Sequence, residues 1–182
     1  MRKFVVTENI TLDGVIDMAK GWFEPLNEDV DQSDITAANS EHREAADALL
    51  VGRNTFESFR EFWPKQTDDP TGVSDYLSAV AKYVVSAPWT TRGGPTTPCC
   101  ADPSPTRCKA LNEAPGRDIV ATGSPQLVHA LVAGGAVDEY RLFVFPVVVG
   151  GALFESADIA LKLLETRPFV SGAVLLRYAA IT

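Results

Sequence analysis

At 182 residues the chain is long enough for one domain with a real core, and 46% hydrophobic against 22% charged residues is a globular profile. A net charge of −8 argues against a surface built to lie on nucleic acid or an anionic membrane, so an anionic ligand needs a local cluster of N–H groups and cations. The cysteines (Cys99, Cys100, Cys108) are odd in number, share one Pro/Thr-rich stretch and have no His among them, which excludes a disulfide framework and a zinc site.

In chain order, the first strand is expected at Lys3–Val6 and is too short to be the core of a signal sequence. No run reaches the length of a membrane-spanning helix, so a cytoplasmic protein is expected. Leu12-Asp13-Gly14 follows with the Asp-Gly signature of a turn. Trp22, in "GWFEP", reads equally as the wall of an apolar pocket and as plain core. The acidic run Asn27–Asp34 reads as a solvated loop that can offer a proton donor near a pocket. A helix is expected over Ile35–Ala46, with His42 among Glu41, Arg43 and Glu44 as a solvated residue.

Strand Ala48–Val51 then runs through Gly52 into a helix over Thr55–Phe62. Helix Ser74–Ala81, capped by Ser74, leads into strand Lys82–Ser86. Residues Pro88–Pro115 hold every cysteine and almost no aliphatic periodicity, so they are expected to form a long, mobile loop within the single domain 1–182. Strand Asp118–Thr122 meets helix Pro125–Ala133, with Ser124 at the N-cap, Pro125 at the first helical position and Gly134-Gly135 at its end. Strand Tyr140–Val149 follows. Leu161–Glu165 and Val170–Tyr178 have no helix between them and close the sheet as an antiparallel hairpin. The pattern is α/β, with a mainly parallel sheet covered by helices.

Two strand-to-helix junctions carry the chemistry. At Gly52-Arg53-Asn54-Thr55 a helix presents N–H groups with no internal partners, beside a hydroxyl and a cation. Thr122-Gly123-Ser124-Pro125 repeats the arrangement on another strand, again with a glycine that admits close approach. In open α/β sheets ligands bind beyond the carboxyl ends of the strands, so two such sites on one edge suit the phosphates of a dinucleotide. Each junction alone also reads as an ordinary turn, and Arg53 and Glu57 at i,i+4 can simply pair. Neither matches a P-loop or GxGxxG pattern. His129 has no partner at ligand spacing, and no metal site is expected.

The segments "ITLDGVID" (10–17), "ADALLVGRNTFESF" (46–59), "FWP" (62–64), "KYVVS" (82–86), "RDIVATGSPQLVHALVAGGAVDEYRLFVFPVVVGG" (117–151) and "SGAVLLRY" (171–178) resemble the dihydrofolate-reductase-like superfamily. Within it, the closest resemblance is to the C-terminal reductase domain of the riboflavin-biosynthesis protein RibD. The resemblance implies that superfamily's three-layer fold, a homodimer, and NADPH at the sheet's C-terminal edge. It places cofactor phosphates on Gly52, Arg53, Asn54 and Thr55, the adenosine side at Val85 and Ser86, and the pyrophosphate at Gly123, Ser124, Pro125 and Gln126. It puts Asp13 and Gly14 by the nicotinamide and substrate; Trp22 and Thr122 are further candidates for the substrate pocket. Asp13 and Asp34 are the candidate proton donors. The implied activity is an NADPH-dependent reductase acting on a small molecule, of the phosphoribosylaminouracil reductase type. The acidic pterin-binding residue of dihydrofolate reductases has no clear equivalent near Thr36, and Thr122 stands where RibD reductases usually carry Glu. A non-catalytic homodimer that binds a nucleotide or metabolite is the competing expectation.

Overall fold

The computed structural model describes residues 1–17, 21–23, 30–85, 99–100, 111–150 and 159–181. β1 (Phe4–Thr11), α1 (Ser33–Glu44), β2 (Ala46–Gly52), α2 (Arg53–Phe62), α3 (Val73–Ala79) and β3 (Ala81–Val85) form the first half. β4 (Cys99–Cys100), β5 (Asp118–Ala121), α4 (Pro125–Ala133), β6 (Glu139–Phe145), β7 (Leu161–Pro168) and β8 (Val174–Ala180) complete it. The strands make one sheet in the order β4-β3-β2-β5-β1-β6-β8-β7. Neighbours from β4 to β6 run parallel, and β8 is antiparallel to both β6 and β7. The expected α/β class, with a mainly parallel sheet and a terminal hairpin, is therefore observed.

Both faces of the central strands are covered, which is why "ALLV" is continuously apolar rather than alternating. Phe4, Val6 and Ile10 of β1 pack on one face with Leu127, Val128 and Leu131 of α4. Val5 points to the other face, where Leu49, Val51 and Leu77 meet the half-buried Phe56 and Phe59. Ile35 and Ala38 of α1 pack with Trp22 against Phe143, Phe145 and Leu175.

Several boundaries differ from expectation. β1 continues past Val6, because Thr7, Glu8 and Asn9 pair in register with Arg141, Leu142 and Phe143. β6 stops at Phe145 rather than Val149, since Pro146 has no N–H to extend the ladder. β8 starts at Val174 because Phe169–Ala173 is a turn closed by the Phe169 N–H on the Ala173 carbonyl at 2.9 Å, with Gly172 at φ +84°. Ser74 is not the cap of α3; Gly72 holds that place, and the Asp69 carboxylate accepts from the Ser74 N–H at 2.8 Å.

The expected loop at 88–115 is ordered secondary structure at two points. Cys99 and Cys100 pair with Val84 and Val85, and residues 111–113 are helical. Asn112 is buried there and locks onto Arg2, accepting its N–H at 3.0 Å and donating Nδ2 to its carbonyl at 2.6 Å. Positions 86–98 and 101–110 lie outside the described residues. No described helix is long and apolar enough to cross a membrane.

Candidate functional site

The strand order brings the two glycine junctions together. β2 and β5 are neighbours, so Gly52 at the end of one lies beside Gly123 just past the end of the other. A Cβ on Gly52 would stand 2.6 Å from Ser124 Cβ, and one on Gly123 would stand 2.9 Å from Thr55 Cγ2. Gly123 also has φ +63°, a conformation open to glycine at little cost. Val85 pairs with Gly52 from the far side, which lines up the ends of β3, β2 and β5. Ser86 lies outside the described residues.

Both helices begin without side-chain caps and without acidic residues in their first turns. Arg53 and Asn54 are exposed at the start of α2, with Thr55 half-buried behind them. Ser124 takes the N-cap position of α4 as expected, yet its hydroxyl makes no cap; at φ 55° it is left-handed, the only described non-glycine residue so placed. Its carbonyl accepts from Leu127 N–H at 2.8 Å, and Pro125 and Gln126 form the first turn. This edge gathers N–H groups, a hydroxyl and a cation, which is the donor set an anion requires.

Beneath the second junction is a residue the sequence reading missed. Glu8 of β1 is 4% exposed, and its Oε1 accepts the Gly123 N–H at 2.8 Å. Burial pushes its carboxyl up to about 8, although the Gly123 hydrogen bond pulls the other way. Glu8 shares a face with Phe4, Val6 and Ile10, so a period-two count carried past Val6 marks it as a carboxyl on an apolar face.

On the opposite face a cleft of about 150 Å³ runs between α1 and α2, lined by Thr7, Asn39, His42, Phe59, Trp63 and Thr122. His42 is buried, not solvated as expected. Desolvation, with Arg141, Arg177 and Arg167 nearby, lowers its imidazole to about 4, so it is neutral at pH 7. Its Nδ1 and the Thr7 hydroxyl are buried without hydrogen-bond partners among the described residues. A larger depression of about 700 Å³, with Arg43, Asp47, Tyr76 and Arg117 on its wall, lies at the N-terminal edge of the sheet, away from both junctions.

The remaining expected site residues are dispersed. Asp13 accepts from the Thr11 hydroxyl at 2.5 Å and from the N–H groups of Val149 and Gly150, and these bonds hold its carboxyl below the usual carboxylate range. Gly14 occupies the same turn at φ +90°. Asp34 accepts from Ile35 N–H at 2.7 Å and from Val170 N–H at 2.8 Å, tying α1 to the β7–β8 turn. Trp22 is 4% exposed in the core, with its Nε1 on the Asp17 carbonyl at 3.0 Å. Of the substrate-pocket residues, Thr122 lines the α1–α2 cleft.

The sheet order, the covering helices and the closing hairpin define a dihydrofolate-reductase-like α/β fold. Residues 104–175 match the family described as the RibD C-terminal domain, in agreement with the resemblance seen in the sequence. The uncharacterised protein YyaP of Bacillus subtilis (strain 168) is 29% identical over 97% of this chain and 94% of its own. A putative riboflavin biosynthesis protein from Shewanella sp. PV-4 superposes with a TM-score of 0.72 at 18% identity, covering 99% of each chain. Dihydrofolate reductase from Enterococcus faecalis, solved with NADP(H), superposes at 0.64 with 15% identity, over 99% of this chain and 97% of that one.

Proposed function

We propose that the chain is an NADPH-dependent reductase that holds the cofactor's phosphates on the paired junctions and its substrate in the α1–α2 cleft. The observation that carries this reading is the contact of the two junctions, Gly52 on Ser124 and Gly123 on Thr55. Together they make a single cradle with two uncapped helix starts. In this reading Gly52, Arg53, Asn54 and Thr55 hold one end of the phosphate chain, and Gly123, Ser124, Pro125 and Gln126 the other. Val85 and Ser86 face the adenosine. Bound NADPH supplies the hydride; the protein's part is to orient substrate against it and exclude water.

The cleft supplies polarity through Thr7, Asn39, neutral His42 and Thr122 within aromatic walls, suited to a planar heterocycle with hydrogen-bonding edges. The pyrimidine reductase activity of RibD relatives, one of which is the bifunctional deaminase/reductase of Thermotoga maritima, makes a phosphoribosylaminouracil the first substrate to test. A homodimer is proposed through β7, an edge strand with Leu163 and Leu164 exposed. One observation favours the second reading, a non-catalytic nucleotide-binding homodimer: Asp13 and Asp34 are both committed to structural hydrogen bonds.

The test is titration with NADPH, followed by tryptophan fluorescence and melting temperature, then turnover with pterins, ribosylated pyrimidines and small carbonyls. Binding with turnover supports the reductase. Binding without turnover on any of them supports the second reading. No change in fluorescence or melting temperature at millimolar NADPH overturns both.

A further inference from the structure

This inference rests on the nucleotide reading of the junctions. We propose that Glu8 is a positioning residue for that site, holding the Gly123–Pro125 turn from below and carrying its proton whenever an anionic phosphate sits on the turn.

The geometry is specific. Val6 pairs with Ala121, and two residues further along β1 the Glu8 side chain captures the Gly123 N–H at 2.8 Å. That bond fixes the Thr122–Gly123 peptide at the entrance to the turn, one residue before Ser124, the residue held at φ 55°. A left-handed non-glycine conformation persists only where its surroundings enforce it, and the Glu8 bond to Gly123 anchors the turn that contains it. The same bond points this N–H into the protein, which leaves the rest of the turn to meet a ligand.

The carboxyl is buried without a countercharge among the described residues, its one hydrogen bond being to Gly123. Tyr83, Tyr140 and Tyr178, the titratable groups of the cluster on its face, are phenols. Glu139, Arg141 and Arg177 form their own ion pairs on the opposite face, where His42 also lies. His129 of α4 is exposed, and Asp13 beyond the end of β1 is taken up by Thr11 and residues 149–150. Burial, against the opposing pull of the Gly123 hydrogen bond, raises the carboxyl to about 8. Adding a phosphate to the turn above favours the uncharged form further, because two neighbouring anions separated by low-dielectric protein repel.

Linkage then requires phosphate binding to weaken as Glu8 ionises, by up to about tenfold per pH unit above its titration point. NADPH dissociation constants are measured by fluorescence from pH 6.5 to 9.5 for the native protein and Glu8→Gln. The variant keeps an oxygen acceptor for Gly123 and cannot ionise. The native constant is expected to rise steeply above about pH 8 while the variant's stays nearly flat, the two agreeing near pH 7. Lys82, lowered by burial, is present in both proteins, so the difference between the profiles reads Glu8. Profiles that superimpose overturn the role of Glu8 and leave the cofactor reading standing. Native protein that binds no NADPH at any pH overturns the cofactor reading and this inference with it. A variant weakened equally at every pH reduces Glu8 to a structural prop and overturns the proton coupling.

Discussion

Gly52 and Ser124 touch across the boundary between β2 and β5, so closely that a Cβ on Gly52 would lie 2.6 Å from that of Ser124. Neither junction can therefore move without the other. Gly52→Ala is expected to cost about 1–3 kcal/mol, the range for overpacking a close contact. Ser124→Gly alone is expected to stabilise by about 1 kcal/mol, because glycine relieves the left-handed strain at φ 55°. In the double variant most of the Gly52→Ala cost should disappear. Denaturant unfolding of the three variants checks this, and additive effects would contradict the contact.

Arg53 at the start of α2 is the cation of the cradle. If it faces a phosphate that NADPH has and NADH lacks, Arg53→Ala should weaken NADPH by about 1–2 kcal/mol and NADH by much less, in keeping with charge-assisted hydrogen bonds. Paired titrations decide. Equal losses for both cofactors would move Arg53 away from the distinguishing phosphate.

Asp34 joins two elements rather than presenting a free acid. Its carboxylate accepts the Val170 N–H from the β7–β8 turn and the Ile35 N–H of its own helix. Asp34→Ala is expected to lower stability by about 1–2 kcal/mol through the stranded N–H groups, with turnover per folded molecule unchanged. A large drop in turnover with normal stability would restore Asp34 as a proton donor.

How far the sequence discloses the site follows from which interactions are local. Both glycine junctions are legible because a strand end, a glycine and a helix start lie within a few residues. Their contact is not, since it depends on β5 inserting between β2 and β1, a choice made by the whole sheet. Glu8 is hidden for a related reason: Thr7-Glu8-Asn9 breaks an apolar run locally, and only pairing with β6 keeps it in a strand. His42 is hidden by its charged neighbours. Glu41 reaches out to Arg167 on β7 at 3.1 Å, while His42 turns inward to within 5.7 Å of the Phe143 ring centroid.

The pH dependence of stability should expose both buried groups, with opposite signs. The folded chain holds His42 at about 4 against an ordinary 6.5, so below pH 6.5 the unfolded chain takes up a proton that the folded one refuses. Stability from this group is complete above pH 6.5 and is lost as the pH falls towards 4. Glu8 is raised to about 8 from 4.5, so the folded chain keeps a proton that the unfolded one releases. Its contribution is complete below pH 4.5 and is lost as the pH rises to about 8. Glu139 adds an acid limb further down. Burial raises its carboxyl, but hydrogen bonds from Arg141 and Arg177 outweigh this and hold it at about 2, so its contribution fades below pH 4.5. Between pH 4.5 and 6.5 the two slopes oppose each other, so His42→Gln should uncover a fall in stability with rising pH there and Glu8→Gln a rise, while above pH 6.5 the fall towards pH 8 should persist in His42→Gln and vanish in Glu8→Gln. Chemical denaturation at half-unit steps of pH resolves the two. A His42→Gln protein whose acid limb overlays the native one would place the imidazole in water, against the burial seen beside Phe143.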